Sequence, residues 1–166
     1  QSVLELGAMV TNTQVIGSSE VEVARPILAE VAATIADVQI RNRGTIGGNV
    51  CVNDPTNHYP PLLAALGASF TIRGVSGERT VSAEEFFLGV YLTAVDEGEL
   101  LTKISVPTRK PGTGDAMAGV TVGAHGTYSS LETVLDAAAR LRDAPDVRLV
   151  LVGNGDRKPA LVTSAR

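Results

Sequence analysis

The chain has 166 residues, enough for one domain or two small ones. It is 44% hydrophobic and 19% charged, ordinary for a globular protein, but only 4% aromatic and without Trp, so a core must be mostly Ala, Val, Leu and Ile. A net charge of −4 with scattered basic residues argues against a nucleic-acid surface or a polybasic membrane anchor, and no apolar run approaches the roughly 18 residues of a spanning helix.

Residues 3–9 read as a short strand ending at Gly7-Ala8, and Thr11 is a suitable cap for a brief helix. Residues 26–35 read as a helix: Pro26 suits a first turn, and Ile27, Leu28, Val31 and Ile35 recur at helical spacing. Residues 41–49 read as a glycine-rich loop, and residues 53–61 are rich in turn formers. A short helix over 61–66 is closed by Gly67 in a left-handed cap. Strands over 69–73 and 79–81, joined at Ser76-Gly77, make a hairpin. One helical turn over 83–87 and a strand over 100–106, stopped by Pro107, complete this part.

The style then changes. Residues 108–118 have linker composition. Beyond them come a strand at 119–122, a glycine loop at 123–130 and a helix at 131–142 with Leu131, Val134, Leu135, Ala138 and Leu141 on one face. The apolar run 147–152 reads as a strand covered on both faces, followed by Gly153-Asn154-Gly155. This is a βαβ-like half-unit. The chain opens on Gln1 rather than Met, so an upstream portion is expected, and no signal-peptide pattern is visible.

Thr45-Ile46-Gly47-Gly48-Asn49 is the segment richest in chemistry. Adjacent glycines allow close backbone approach, and successive N–H groups in such a loop bind anionic oxygens. Thr45 and Asn49 add a hydroxyl and an amide. The Lys-Ser/Thr of a Walker A loop is absent, as is the strand–glycine–acid pattern of a Rossmann fingerprint. On pattern alone a tight turn is the commoner description of such a Gly-Gly pair.

Other candidates have plainer readings. His58 and His125 lack the Cys or carboxylate company of a metal site. Cys51 lies in a Val-Cys-Val run and reads as a small buried hydrophobe; as the single cysteine it excludes an internal disulfide and fits a reducing cytoplasm. Glu84 and Glu85 suit the start of a short helix. Arg41 and Arg43 either add positive potential for phosphate or pair with Asp37 and Asp54. No acid, base or nucleophile set emerges.

The run 39–49, QIRNRGTIGGN, resembles the second flavin-binding loop of the medium subunits of molybdenum hydroxylases, the carbon monoxide and xanthine dehydrogenase families. The similarity continues through PTNHYPPLLAAL at 55–66, GERTVSAEEFF at 77–87 and TAVDEGELLTKISVP at 93–107. Upstream, LGAMVT at 6–11 matches the family's first strand and turn. The resemblance implies an α+β fold, a partial FAD-binding domain of the vanillyl-alcohol-oxidase or PCMH-like type over 1–107. It implies FAD as cofactor, with Thr45, Ile46, Gly47, Gly48 and Asn49 around the phosphates, and Leu101 near the isoalloxazine ring. Relatives carry an acid for the adenosine ribose where this chain has His58. The family's other phosphate loop, of AGG type, does not occur in this sequence. The implied function is electron transfer between an iron–sulfur partner and an acceptor, as an oxidoreductase subunit. The implied partners are a molybdopterin-containing large subunit and an iron–sulfur small subunit.

Residues 119–166 resemble instead the opening of the donor-binding Rossmann domain of retaining glycosyltransferases, with GAHG at 123–126 as the loop near the nucleotide-sugar diphosphate and VLVGNG at 150–155 as the next strand and turn. The segment is then either a fusion or a divergent end of the flavoprotein.

Overall fold

The computed structural model describes residues 2–117. These form an α+β unit in which a four-stranded antiparallel sheet is covered by short helices. In chain order the elements are β1 (Val3–Gly7), α1 (Asn12–Gly17), α2 (Ser19–Ala24), α3 (Ile27–Thr34), α4 (Val38–Arg43), α5 (Ile46–Val52) and α6 (Tyr59–Ala65). Then come β2 (Ser69–Gly74), β3 (Gly77–Ser82), α7 (Ala83–Phe86), β4 (Phe87–Gly89), β5 (Leu92–Thr93) and β6 (Leu100–Pro107).

The sheet order is β1-β6-β2-β3. Leu6 lies opposite Ile104, and Ile104 opposite Phe70, so the period-two alternation of each strand builds one apolar face. Phe70, Ile72, Ile104 and Val106 are fully buried there. Above them pack Val15, Leu28, Ile46, Val50, Leu63 and Phe86, each with no exposed surface. The three phenylalanines form one cluster: Phe70 and Phe86 stack at 4.1 Å, and Phe87 meets both edge-on. The chain's three phenylalanines are thus gathered in one cluster of an otherwise largely aliphatic core.

Most of the expected elements are present. Thr11 caps α1 through a capping box with Gln14, Gly67 takes φ +67 after α6, and residues 74–77 turn the β2–β3 hairpin. Ser82 and Glu85 form a second capping box that starts α7. The sequence reading missed α2, which Ser18 caps, and the small β4–β5 hairpin. Residues 41–49 differ more. They are not an open loop but the end of α4, a Gly44-Thr45 link and most of α5. Asp37 caps α4 by accepting from Ile40 N at 2.9 Å, and Thr45 caps α5 by accepting from Gly48 N at 3.0 Å. Two helices of six and seven residues are too short to leave a period, and adjacent glycines disfavour a helix interior by about 1 kcal/mol each. Gly47 is nonetheless required, since a Cβ there would lie 2.6 Å from Ala8 Cβ.

Residues 108–115 pack back on the same unit. Arg25, 8% exposed, donates through Nε to the Pro107 carbonyl at 2.9 Å and through Nη1 to both carboxylate oxygens of Asp115 at 2.9 and 2.8 Å. Arg109 N donates to the Ala24 carbonyl at 2.9 Å. The expected strand, helix and glycine loops at 119–155 lie outside the described residues.

Candidate functional site

The segment Gly44–Gly47 is bound to the stretch that follows β1. Asn12 N donates to the Gly44 carbonyl at 3.0 Å, Ile46 N to Val10 at 2.9 Å, and Gly47 N to Ala8 at 2.9 Å. Gly48 N is taken by the Thr45 hydroxyl and Asn49 N by the Thr45 carbonyl at 3.1 Å. Every backbone N–H from Ile46 to Asn49 therefore already has a partner. The site expected to be a nest of free amides is instead a capped helical turn, and its remaining polarity lies in side chains.

Those side chains open on a depression of about 490 Å³. Thr45, Gly48 and Asn49 line it together with Asn12, Arg43, Gly44, Asp54 and Asn57, and its apolar wall is Ile35, Ile40 and Val52. Asn49 Oδ1 is buried and has no hydrogen-bond partner among the described residues. An amide oxygen left so costs about 1–3 kcal/mol, and groups of this kind mark where a donor from outside would sit. The Thr45 hydroxyl accepts from Gly48 N and keeps its own proton to donate. Gly48 is exposed, and a Cβ on it would meet Thr45 Oγ1 at 3.0 Å, so only glycine leaves that hydroxyl clear.

The two arginines separate. Arg41 turns away, donating to the carbonyls of Ile35 and Ala36 at 2.8 and 2.7 Å, where it closes the end of α3. Arg43 is exposed on the depression wall and forms no ion pair among the described residues. Asp37 serves as a cap. Asp54 accepts from Thr56 N and Oγ1 and from the Tyr91 hydroxyl at 2.7 Å, bonds that hold its carboxyl below the usual range, Thr56 first.

The other expected site residues fall elsewhere. Ile46 is fully buried in the core, and Gly47 is buried against Ala8. His58 is half-buried just before α6 and makes no cap bond; its neighbour Asn57 lines the depression, donating to the Asn49 carbonyl at 3.1 Å. Leu101 pairs with Ile72 in the sheet and packs half-buried against the core, away from the depression wall. Asn12 escaped the sequence reading. It is 2% exposed and accepts from the fully buried Tyr59 hydroxyl at 3.1 Å; burial pushes that phenol well above its ordinary range. Its only signal was its place after the Thr11 cap. Burial also raises the Cys51 thiol, which stays protonated and inert at neutral pH, as expected of a packing residue. Among the described residues no three His, Cys, Asp or Glu side chains could hold a metal. No described helix is long and apolar enough to cross a membrane.

The polar set suits part of a dinucleotide. Hydroxyl and guanidinium donors at Thr45 and Arg43 match phosphate oxygens, and the orphan Asn49 oxygen matches a sugar hydroxyl, which can donate where phosphate cannot.

The family described as "FAD binding domain in molybdopterin dehydrogenase" matches residues 1–109. The carbon monoxide dehydrogenase medium chain of Hydrogenophaga pseudoflava is 45% identical over 113 residues, 68% of this chain and 39% of its own length. The solved structure of that organism's carbon monoxide dehydrogenase superposes with a TM-score of 0.66 at 45% identity, covering 68% of this chain and 39% of that one. The nicotine 6-hydroxylase medium subunit of Paenarthrobacter nicotinovorans is 31% identical over 150 residues, 90% of this chain and 52% of its own. The chain thus spans about two fifths of the length of the first of these relatives. With the family model matching more than half of its length, and the antiparallel sheet and capped glycine turn in place, the chain belongs to the family of FAD-binding domains of molybdopterin dehydrogenases.

Proposed function

We propose that this chain serves as part of the FAD-binding, electron-transferring module of a molybdenum hydroxylase-type dehydrogenase. It would work beside a molybdopterin-containing large subunit and an iron–sulfur small subunit, in the cytoplasm. The observation that carries this reading is the unpartnered Asn49 oxygen in a wall that also presents the Thr45 hydroxyl and Arg43. Bound FAD supplies the redox chemistry, taking up electrons from an iron–sulfur donor and releasing them to an acceptor. The chain's own residues bind and orient. Thr45 donates to a phosphate oxygen, Arg43 offsets its charge, and Asn49 accepts from a sugar hydroxyl. Gly48 keeps the approach open, while Ile35, Ile40 and Val52 shield one side from water. His58 stands where relatives carry an acid, beside Asn57 in the wall, and can still donate or accept. Leu101 serves the isoalloxazine side from the sheet.

The AGG-type loop is absent from these 166 residues, and each charge-assisted bond it would make is worth about 1.5–3 kcal/mol. A piece limited to these 166 residues is therefore expected to bind added FAD only weakly. Titration of FAD into the purified chain, followed by flavin fluorescence, tests this. Thr45→Ala and Asn49→Ala are each expected to weaken binding about tenfold, one hydrogen bond's worth. Binding that neither variant alters would move the flavin away from this wall.

For residues 119–166, the nicotine 6-hydroxylase alignment favours continuation of the flavoprotein, since a match over 90% of the chain must run beyond residue 117. The glycosyltransferase-like reading rests on the residue pattern from Gly123 to Val162 alone, in which Gly123, Gly126, Gly153 and Gly155 would face phosphate. Calorimetric titration with nucleotide sugars separates the two: heat of binding at micromolar concentration would restore the fusion.

A further inference from the structure

One contact set next to the depression has no part in that binding reading. Phe87 anchors the base of the β4–β5 hairpin on the core, but beyond it Leu88, Val90, Tyr91 and Leu92 are each at least half exposed, so burial of side chains does not hold the tip. Asn53 does. It follows α5 in the left-handed conformation, φ 46 and ψ 44. Its side-chain amide donates to the Gly89 carbonyl at 2.7 Å and the Leu92 carbonyl at 3.2 Å, using both protons, and its own carbonyl accepts from Tyr91 N at 3.1 Å. Tyr91 also has positive φ, 54, a conformation that only a surrounding structure imposes on such a residue. Its hydroxyl then reaches the carboxylate of Asp54, a wall residue of the depression.

We infer that Asn53 is a positioning residue that fixes the rim of the depression, holding the hairpin so that Tyr91 stays joined to Asp54. The role of that rim in ligand selection rests on the cofactor reading above. The geometry explains why Asn stands here. Glycine accepts the same backbone conformation but has no amide to offer, and Asp has the shape without the donors. Through α5 one short element carries both the Thr45–Asn49 turn at its start and the rim at its end. A displaced hairpin would therefore free Asp54 Oδ2 while Oδ1 stays with Thr56, leaving an unpaired carboxylate oxygen in the wall where phosphate is expected. The Asp54 bond also holds the Tyr91 phenol above its usual range, which gives the contact a spectroscopic signature.

The test is NMR on the full chain, with the Tyr91 ring assigned by Tyr91→Phe. In the wild type the Asn53 side-chain amide protons are expected to exchange about tenfold more slowly than those of exposed Asn42, whose amide donates to nothing among the described residues. In Asn53→Gly, Tyr91 N–H exchange is expected to rise about tenfold, and the Tyr91 phenol to titrate at lower pH than in the wild type. Tyr91→Phe removes only the hydroxyl bond and should leave the residue-91 amide protected. Fast wild-type exchange of the Asn53 amide overturns the inference, even if the glycine variant does not fold. So does a folded Asn53→Gly protein whose Tyr91 titration is unmoved. None of these readings uses FAD, so a chain that binds no flavin would refute the cofactor reading and leave this one to be judged by exchange.

Discussion

The sheet and the 37–57 segment hold their shapes by opposite means. In the sheet each strand carries its own instruction: alternation buries Phe70, Ile72, Ile104 and Val106, and slipping one residue would expose them all. In the segment, helices of six and seven residues exist because Asp37 and Thr45 cap them and because the 8–12 stretch binds Gly44–Gly47. The first region spends its side chains on packing. The second completes its backbone bonds and leaves side chains, Thr45, Asn49 and Arg43, free to face the depression. Structure is local in one and borrowed in the other, and the borrowed region has room for binding.

Substitutions can break or sharpen this contrast. The largest effect is expected from Phe86→Ala, which empties the aromatic cluster and should cost about 3–5 kcal/mol in chemical denaturation. Asp115→Ala leaves Arg25 with carbonyls only. Because Asp115 keeps some solvent, the loss should be about 2–3 kcal/mol, below that of a fully buried pair. A thermal melt unchanged by this substitution would return residues 108–115 to the status of a linker. Gly47→Ala drives a methyl into Ala8 and should cost about 1–3 kcal/mol, although alanine is the better helix former. Stabilisation there would mean that the turn is held by its own propensity after all. Asn49→Ala should change stability by less than about 1 kcal/mol, or raise it, because an unsatisfied amide disappears while flavin affinity falls. The smallest effect is expected at Glu85. Ser82 backbone and hydroxyl bonds lower its folded pKa, so its stabilisation is present above the unfolded value of about 4.3 and fades as pH falls through the lower folded value. Glu85→Gln should remove that acid-limb dependence and little else.

The two regions were also unequally legible. Period two and the Gly67 and Ser76-Gly77 turns placed β2 and β6 to within a residue and found β3, though only its middle, because those signals lie within each element. The glycine segment was recognised by its residues and misjudged in form. A Gly-Gly pair reads as loop, and nothing near it discloses that Ala8 and Val10 supply its partners. Of the expected site residues, Thr45, Gly48 and Asn49 meet in one wall, whereas Ile46 and Gly47 are buried and Leu101 lies half-buried in the sheet. Asn12, Asp54 and Asn57 join the wall through contacts distant in sequence, which no motif could convey. Arg41 and Arg43, two residues apart and left equivalent by charge alone, point to different tasks once α4 is wound between them.

The pairing of β1 with β6 has a consequence of its own. Val3 lies opposite Pro107, and the hydroxyls of Ser2 and Thr108 are 2.9 Å apart, so the first and last strands of the sheet are tied side by side at one corner. Whatever follows Pro107 therefore starts out beside residue 2, more than a hundred positions away along the chain.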